Sequence, residues 1–372
     1  MNKTFFNLIQ DVQKTGRCHH CGGCVTFCSS INLGALEMDD TGKPRFRKIE
    51  NCLDCGLCYM ICPETQELDQ AIKENADWTA PFGRQISLSI SQAADEKVQN
   101  NGTDGGVVTA ILLHLFDTGR INGAIVSKST DAGRVPFLAT TRQAILDSAG
   151  SCFHASHGLA QLADTYSTYS PSLDLLSQKG GRIPERLAFV GTPCQVNTLR
   201  KMQAMGIVPS DAVDYVFGLF CSGNFSFDAK AFASVESRYR FRYADVEKIN
   251  IKEDFLFTLT SGRTIAVGLD ELDHVKREAC HFCNDFGAEY ADISFGGLGA
   301  APGWTTAVTR SPQGKEVMAS AMGSVLTRWT YDHSPNAIVS AEKTLETACL
   351  QKQQKASAYM GQQAQDDLRI VY

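Results

Sequence analysis

The sequence predicts a mixed α/β protein of more than one domain, in which a small cysteine-rich domain precedes a larger domain of alternating strands and helices. Three observations lead to this fold class. The chain has 372 residues, which is long for a single hydrophobic core. Of its 14 cysteines, eight fall within the first 62 residues. Beyond about residue 78, apolar runs of strand length alternate with helical patterns and glycine-rich turns.

Composition narrows the class of protein further. With 43% hydrophobic and 20% charged residues, the chain is typical of globular proteins. Its net charge of −6 gives no electrostatic reason to expect nucleic acid or an anionic membrane as a partner. No apolar run approaches the roughly 20 residues of a membrane helix, and the N-terminus lacks the apolar core of a signal peptide. We therefore expect a cytoplasmic protein without a membrane span, whose thiols are reduced and available to metals.

The N-terminal cysteines form two copies of the pattern C-x2-C-x2-C-x3-C. The second copy starts 34 positions after the first, as from Cys18 to Cys52. This spacing is typical of bacterial ferredoxins with two [4Fe–4S] clusters, in which the fourth cysteine of each run binds the other cluster. Two zinc sites would more often show cysteine pairs separated by a longer loop. The predicted ligand sets are Cys18, Cys21, Cys24 and Cys62 for one cluster, and Cys52, Cys55, Cys58 and Cys28 for the other.

Changes in composition predict the domain boundaries. Residues 1–78 are predicted to form a two-[4Fe–4S] ferredoxin-like domain, and residues 79–330 an α/β domain. Residues 331–372 carry no motif and are predicted to form a helical, polar tail. Outside the clusters, the isolated Cys152 and Cys349 are predicted to be small buried hydrophobic residues.

A strand–loop–helix–strand unit is predicted at the start of the larger domain. The segment 86–93 alternates apolar and polar residues as a strand does. Asp104 is a plausible N-cap, and Gly105 and Gly106 open a turn before an apolar helix over 107–116. A glycine pair at a helix start can bind an anion such as phosphate, or can simply form a tight turn before a core helix. The residues alone leave both interpretations open, because they do not match G-x-G-x-x-G.

Two later strands each end in a cysteine, Cys194 and Cys221. The carboxyl ends of parallel strands share one edge of a sheet, where α/β proteins bind ligands. The pair Cys280 and Cys283 is half of a metal site, since an iron–sulfur cluster or a structural zinc normally takes four ligands. Cys194 and Cys221 are therefore predicted to supply the other half.

Seven segments, taken in order, resemble one protein family. They are "TDGGVVTAILLHLFDTGRINGAIV", "ATTRQAILDSAGS", "FVGTPCQVNTLRK", "GLFCSGN", "CHFCNDF", "ADISFGGLG" and "GWTTAVTR". Over about residues 18–310 the chain resembles the coenzyme F420 hydrogenase/dehydrogenase beta-subunit family behind a ferredoxin domain. The resemblance implies a cytoplasmic flavin protein that passes electrons between a hydride carrier, FAD and iron–sulfur clusters as a subunit of a larger redox complex.

The resemblance also implies specific site residues. FAD would lie at Asp104, Gly105, Gly106 and Val107, with Thr192 and Pro193 nearby. A third [4Fe–4S] cluster, beside the flavin, would be held by Cys194, Cys221, Cys280 and Cys283. No catalytic acid or base is identified, because the reacting atom would be N5 of the flavin.

Two departures from the family pattern bear on the hydride donor. Cys152 and Phe153 stand where the family commonly has Lys–Tyr, and Gly297 stands where an acidic residue is common. Both segments are expected near the flavin, so the pocket for the donor is expected to differ from the family's usual one. Nothing in the sequence supports NAD(P), since no G-x-G-x-x-G follows a strand.

The predicted function is an oxidoreductase subunit that contains FAD and three [4Fe–4S] clusters. It would exchange a hydride with reduced coenzyme F420, or a similar carrier, and pass single electrons to partner subunits. The flavin is needed because carriers of this kind deliver two electrons together, whereas clusters accept one at a time. Two alternatives are a reductase of the same fold that acts on another organic substrate, and an electron-transfer subunit that has lost the flavin.

Overall fold

The computed structural model describes residues 3–30, 33–39, 42–130, 133–150, 186–207, 210–225, 229–330, 334 and 336–370. The helices are α1 (Phe5–Leu8), α2 (Gly23–Ser30), α3 (Leu57–Met60), α4 (Asp69–Asn75), α5 (Glu96–Asn101), α6 (Val107–Asp117), α7 (Arg142–Asp147), α8 (Pro193–Ala204), α9 (Ala229–Tyr239), α10 (Ala279–Phe282), α11 (Pro312–Ala321) and α12 (Ala337–Ile370). The strands are β1 (Leu36–Met38), β2 (Pro44–Phe46), β3 (Ser87–Ala93), β4 (Gly123–Thr130), β5 (Gly133–Ala139), β6 (Leu187–Gly191), β7 (Val213–Leu219), β8 (Val246–Ile251), β9 (Asp254–Leu259), β10 (Thr264–Gly268), β11 (Ile293–Gly296), β12 (Thr305–Thr309) and β13 (Leu326–Arg328).

Over its described residues, the N-terminal domain consists of four short α-helices, α1 to α4, and a two-stranded hairpin. Strands β1 and β2 pair antiparallel, with Leu36 opposite Phe46. Phe5, Leu8 and Tyr59 are buried in a core that also contains cysteine side chains. The apolar side chains are few, as expected of a domain this small. The domain is therefore built around its thiols.

An eight-stranded sheet forms the centre of the larger domain, in the order β13-β3-β12-β11-β7-β6-β4-β5. Its inner strands β4, β6, β7 and β11 run parallel, and the strands on either side pair antiparallel. Strand β6 reads Leu-Ala-Phe-Val-Gly and is buried along nearly its whole length. Such a continuous apolar run is typical of a parallel strand covered on both faces. Helix α6 packs in the core on one side of the sheet, and α8 packs in the core on the other.

A smaller antiparallel sheet, β10-β9-β8, stands beside the main one. In β9 the buried residues Phe255, Phe257 and Leu259 alternate with less buried ones, so only one face of the strand enters the core. Phe232 of α9 packs edge-on against Phe257, with ring centroids 5.7 Å apart. This aromatic core fixes the small sheet, whose strand β8 reaches the functional site.

The two domains are joined through α4 and α8. Ile72 of α4 packs in the same core as Val196 and Leu199 of α8. Lys201 of α8 is fully buried. Its ammonium group donates to the carbonyl oxygens of Cys62, at 3.1 Å, and Thr65, at 2.7 Å. The ferredoxin-like domain is thus held to the helix that begins next to Cys194.

Local patterns predicted several elements closely and one helix start wrongly. The helix predicted over 107–116 is α6, and the strand predicted over 86–93 is β3. The N-cap of α6 is Gly106, at a φ of 70°, and not Asp104. A Cβ on Gly106 would lie 2.7 Å from the carbonyl oxygen of Val98, so this left-handed turn requires glycine. Within the described ranges, no helix is long and apolar enough to cross a membrane.

Candidate functional site

Four thiols from both cysteine runs surround one small cavity in the N-terminal domain. The cavity, of about 30 Å³, is lined by Cys18, Cys21, Cys24 and Cys62. Burial raises the pKa of the Cys24 thiol well above its usual value, and the neighbouring thiols raise it further. Buried thiolates need nearby cations, and iron supplies them. These four residues therefore fit a cluster that takes three ligands from one run and the fourth from the other.

A second cavity, of about 20 Å³, is lined by the complementary set, Cys28, Cys52, Cys55 and Cys58. Burial, followed by the thiols of Cys55 and Cys52, raises the pKa of Cys58 to about 12. Among the residues that the structure describes, no three His, Cys, Asp or Glu side chains are placed to hold a single metal ion. Four thiols around one cavity are the donor set that a [4Fe–4S] cluster requires.

A third group of thiols comes from three separate parts of the larger domain. Cys194 lies at the start of α8 just after β6, and Cys221 follows β7. Because β6 and β7 are parallel neighbours, with Gly191 opposite Gly218, these two strand ends lie side by side. Cys280 lies in α10, and its sulfur accepts the N–H of Asn224 at 3.2 Å.

The four thiols of this third group lie close enough to influence one another. Burial first, and then Cys280, Cys194 and Cys283, raise the pKa of Cys221 to about 12. The donor set is therefore four clustered thiols, as a [4Fe–4S] cluster requires. We call Cys194, Cys221, Cys280 and Cys283 the third thiol set.

We call Cys18, Cys21, Cys24 and Cys62 the first thiol set. One residue contacts both this set and the third thiol set. Thr198 Oγ1 lies 3.5 Å from Cys21 Sγ and donates to the carbonyl oxygen of Cys194 at 3.0 Å. A single side chain therefore spans the space between the two sets. Electron transfer between neighbouring clusters requires this kind of proximity.

His19 also lies at this junction. It is buried, and its Nε2 is 2.6 Å from Glu64 Oε1. Burial alone would lower the pKa of His19, but Glu64, Cys194 and a hydrogen bond with Cys280 raise it well above its usual value. In the sequence it stands between Cys18 and Cys21, two of the predicted ligands. Its contact with the third thiol set is a tertiary feature without a local signal.

A cavity in the α/β domain has a volume of about 230 Å³ and reaches the third thiol set. Its walls include Val107 and Leu112 of α6, Ser127 of β4, and Ile249 of β8. Cys221 is part of the lining. The cavity lies at the carboxyl edge of the parallel strands, as ligand sites in α/β sheets do. Mostly apolar walls with a few polar groups are typical of a cofactor site.

Three of the six residues expected at FAD line this cavity, namely Asp104, Gly106 and Val107. The other three, Gly105, Thr192 and Pro193, are not part of the lining. A Cβ on Gly105 would lie 2.9 Å from the carbonyl oxygen of Ser91, so glycine is needed there for packing on β3. Thr192 is the N-cap of α8, where it forms a capping box with Gln195. Gly105 and Thr192 thus each have a role in the fold, and their place at FAD stays a prediction.

Cys152 and Phe153, which depart from the family pattern, lie outside the described residues. Cys349 is buried in α12, as predicted for a small hydrophobic side chain.

The Asp104 carboxylate lies just before α6 and lines the cavity. Its Oδ1 accepts the side-chain N–H of Asn250 at 3.0 Å. Burial raises the pKa of Asp104, while Lys252, Asn250 and Lys248 lower it in part. A Cβ on Gly297 would lie 2.5 Å from Asp104 Oδ2, so the carboxylate occupies space that opens because residue 297 lacks a side chain. An anion at this helix start would face Asp104 as well as the two lysines.

Comparison with known proteins agrees with this architecture. The family described as "Coenzyme F420 hydrogenase/dehydrogenase, beta subunit N-term" matches residues 90–163, and its C-terminal counterpart matches residues 184–328. The family described as "4Fe-4S dicluster domain" matches residues 10–63. The chain belongs to the coenzyme F420 hydrogenase/dehydrogenase beta-subunit family. The predicted family is confirmed.

Individual relatives carry related names. The coenzyme F420 hydrogenase subunit beta of Methanococcus voltae is 31% identical over 240 residues, covering 63% of this chain and 80% of the relative. The coenzyme F420-dependent sulfite reductase of Methanocaldococcus jannaschii is 28% identical over 325 residues, which cover 83% of this chain. This chain spans only 46% of that reductase.

A solved structure shares the fold. A chain of the F420-reducing [NiFe] hydrogenase complex from Methanosarcina barkeri superimposes with a TM-score of 0.63, at 24% identity, covering 77% of this chain and 94% of that one. The predicted fold class, a mixed α/β domain behind a ferredoxin-like domain, is confirmed.

Proposed function

We propose that this chain is an FAD- and iron–sulfur-containing oxidoreductase subunit that exchanges a hydride with reduced coenzyme F420. The observation that supports it best is the 230 Å³ cavity, which extends from the start of α6 to Cys221 of the third thiol set. A cofactor in this cavity would lie directly beside a cluster ligand. The names of the relatives support F420 as the carrier, because both the hydrogenase subunit and the sulfite reductase are named for it.

The lining of the cavity fits a flavin nucleotide. FAD supplies the ability to take two electrons as a hydride and release them singly. Apolar side chains such as Leu112 and Ile249 would hold the ring and exclude water. Lys252 also lines the cavity, and its positive charge would offset the negative charge of the FAD phosphates at the start of α6. The Asp104 carboxylate lies at the same place and would repel those phosphates.

The thiol sets provide a route out of the cavity. The third thiol set would receive electrons beside the cofactor, and Thr198 lies between that set and Cys21 of the first set. The second thiol set consists of Cys28, Cys52, Cys55 and Cys58. The first and second sets each take three cysteines from one run of the N-terminal domain and the fourth from the other run. Electrons would therefore leave through the ferredoxin-like domain toward partner subunits of a redox complex, in the cytoplasm.

Reduction of the bound flavin tests the proposal. Protein purified without oxygen is mixed in a stopped-flow instrument with reduced F420, NADH or NADPH, and flavin absorbance is followed. We expect fast bleaching by reduced F420 and none by the nicotinamides. Rapid bleaching by NADH alone would exclude F420 as the donor. A spectrum with cluster absorbance and no flavin would instead favour the alternative of a flavin-free electron-transfer subunit.

A pair of variants tests the place of the cofactor. Ser127→Trp puts a large side chain into the cavity, and Ser261→Trp puts the same side chain on the exposed β9–β10 turn. The first should lose flavin and keep its iron, and the second should keep both. Full flavin content in Ser127→Trp would place the cofactor elsewhere.

A further inference from the structure

Helix α12 lies beyond the residues that match the beta-subunit family, which end at residue 328. It carries a buried stripe at the three- and four-residue spacing of one helix face. The stripe consists of Ala341, Leu345, Cys349, Lys352 and Ala356. Four of its members are small or apolar, as expected of a helix that packs on a core. The exception is Lys352, a charged residue that requires an explanation.

Lys352 is 9% exposed, and its ammonium group lies at the third thiol set. It donates to the carbonyl oxygen of Cys221 at 2.6 Å and to that of Asp285 at 2.8 Å. Cys221 is a member of the set, and Asp285 follows another member, Cys283, by two positions. Burying an ammonium group is costly unless negative charge lies nearby. The two carbonyl oxygens accept its hydrogen bonds, and the Asp285 carboxylate supplies negative charge nearby.

The electrostatic surroundings keep Lys352 charged. A cluster held by the third thiol set would be anionic, because four thiolates carry more negative charge than the [4Fe–4S] core carries positive charge. The lysine would therefore face negative charge when the cluster is bound.

A second contact fixes α12 over the same ligands. Tyr359, two helical turns beyond Lys352, stacks on His281 with ring centroids 4.9 Å apart. It also meets Phe282 edge-on at 5.0 Å. His281 and Phe282 are the two residues between Cys280 and Cys283. The helix is thus anchored on the metal-binding segment itself, and the ammonium group is held in place and shielded from water.

We propose that Lys352 is a positioning residue that raises the reduction potential of the cluster held by the third thiol set. Reduction adds one electron to an already anionic cluster, with no bond made or broken. A fixed positive charge nearby stabilises the reduced form more than the oxidised form, and a buried site screens this effect poorly. Lys352 would therefore favour transfer of single electrons from the flavin to this cluster. The inference rests on the third cluster of the proposed function.

Redox titrations followed by electron paramagnetic resonance test this role. The variants are Lys352→Gln, which keeps one hydrogen-bond donor, and Lys352→Met, which keeps only the apolar length. We expect the equilibrium constant for reduction of the third cluster to fall at least about tenfold, which lowers its reduction potential by about 59 mV for one electron. The signals of the ferredoxin pair should not move. Lys343→Gln, an exposed position on the same helix, is the charge-matched control and should leave all three potentials unchanged.

Iron analysis separates this inference from the function on which it rests. The parent protein should contain about twelve irons. A parent with only about eight would disprove the third cluster itself. With three clusters present, an unchanged potential in both Lys352 variants would overturn the inference, as would an equal shift in Lys343→Gln. Loss of the third cluster from both variants would also overturn it, because the lysine would then serve assembly and not potential.

Discussion

Replacing Lys201 with methionine should loosen the contact between the ferredoxin-like domain and the α/β domain. The methionine side chain keeps most of the apolar stem that packs in α8, but it removes the buried ammonium group. That group donates to the carbonyl oxygens of Cys62 and Thr65, and it lies 2.7 Å from Asp69 Oδ1. The substitution therefore leaves two carbonyl groups and one carboxylate of the N-terminal domain without this partner.

The structure sets the size of the effect. A hydrogen bond to a charged group contributes about 1.5–3 kcal/mol, and Lys201 makes two such bonds to carbonyl groups. The Asp69 side chain is 37% exposed, so solvent screens this ion pair and its loss adds at most about 1 kcal/mol. The lysine no longer has to be desolvated, which offsets part of the loss. We expect the local free energy of opening to fall by about 3 kcal/mol.

Native-state hydrogen exchange of the cluster-loaded protein measures this change directly. A loss of about 3 kcal/mol corresponds to roughly 100-fold faster amide exchange in α4 (Asp69–Asn75), which opens when the contact is lost. Amides of β11, in the middle of the main sheet, should exchange as in the parent. Lys315→Met, an exposed lysine on α11, should change neither. Less than about tenfold acceleration in α4 would refute the reasoning.

Two further predictions concern the third thiol set and a buried acid. Cys283→Ser should remove about four irons and leave the signals of the ferredoxin pair intact. The control, Cys349→Ala, should keep all the iron. Equal iron content in the two variants would show that Cys283 is not a ligand. Burial and the Asp285 carboxylate raise the pKa of Glu289 to about 8, so the folded protein binds more protons than the unfolded chain between about pH 4.5 and 8. The free energy of unfolding should therefore fall as pH rises through that window, by at most about 1.4 kcal/mol per pH unit. In Glu289→Gln, the melting temperature should depend less on pH over the same window. Parallel curves for the parent and this variant would contradict the assignment.

The partition of the N-terminal cysteines was predictable because their spacing encodes it. In the folded domain each cavity draws three thiols from one run and one from the other, as from Cys62 to the first set. Strands β3 and β6 were also predictable, since alternation and continuous apolar runs are local signals. The residues alone could not predict the part of the cavity wall that comes from the smaller sheet. It consists of residues such as Ile249 of β8 and Lys252, which follows β8.

The wrong N-cap at the start of α6 has the same physical origin. The resemblance placed both Gly105 and Gly106 at FAD, whereas the residues alone left a tight turn open as well. Only Gly106 lines the cavity, whereas the missing side chain of Gly105 makes room for β3. Both glycines have the same local appearance, and only the tertiary neighbour of each Cβ position separates their roles. The same limit hid Lys352, which the sequence presents as one more lysine in a polar helix.

The chain order of the thiols has a consequence for how the protein matures during synthesis. All eight cysteines of the first two sets have left the ribosome soon after residue 62 is made, so both ferredoxin clusters can be inserted early. The third set is complete only when Cys283 has emerged, and Lys352 follows about 70 residues later. By the proposed function, a nascent chain would acquire its outlet for electrons before it could hold the cluster beside the flavin. Partly made protein would then have no path by which a reduced flavin could drain its electrons into exposed clusters and on to oxygen.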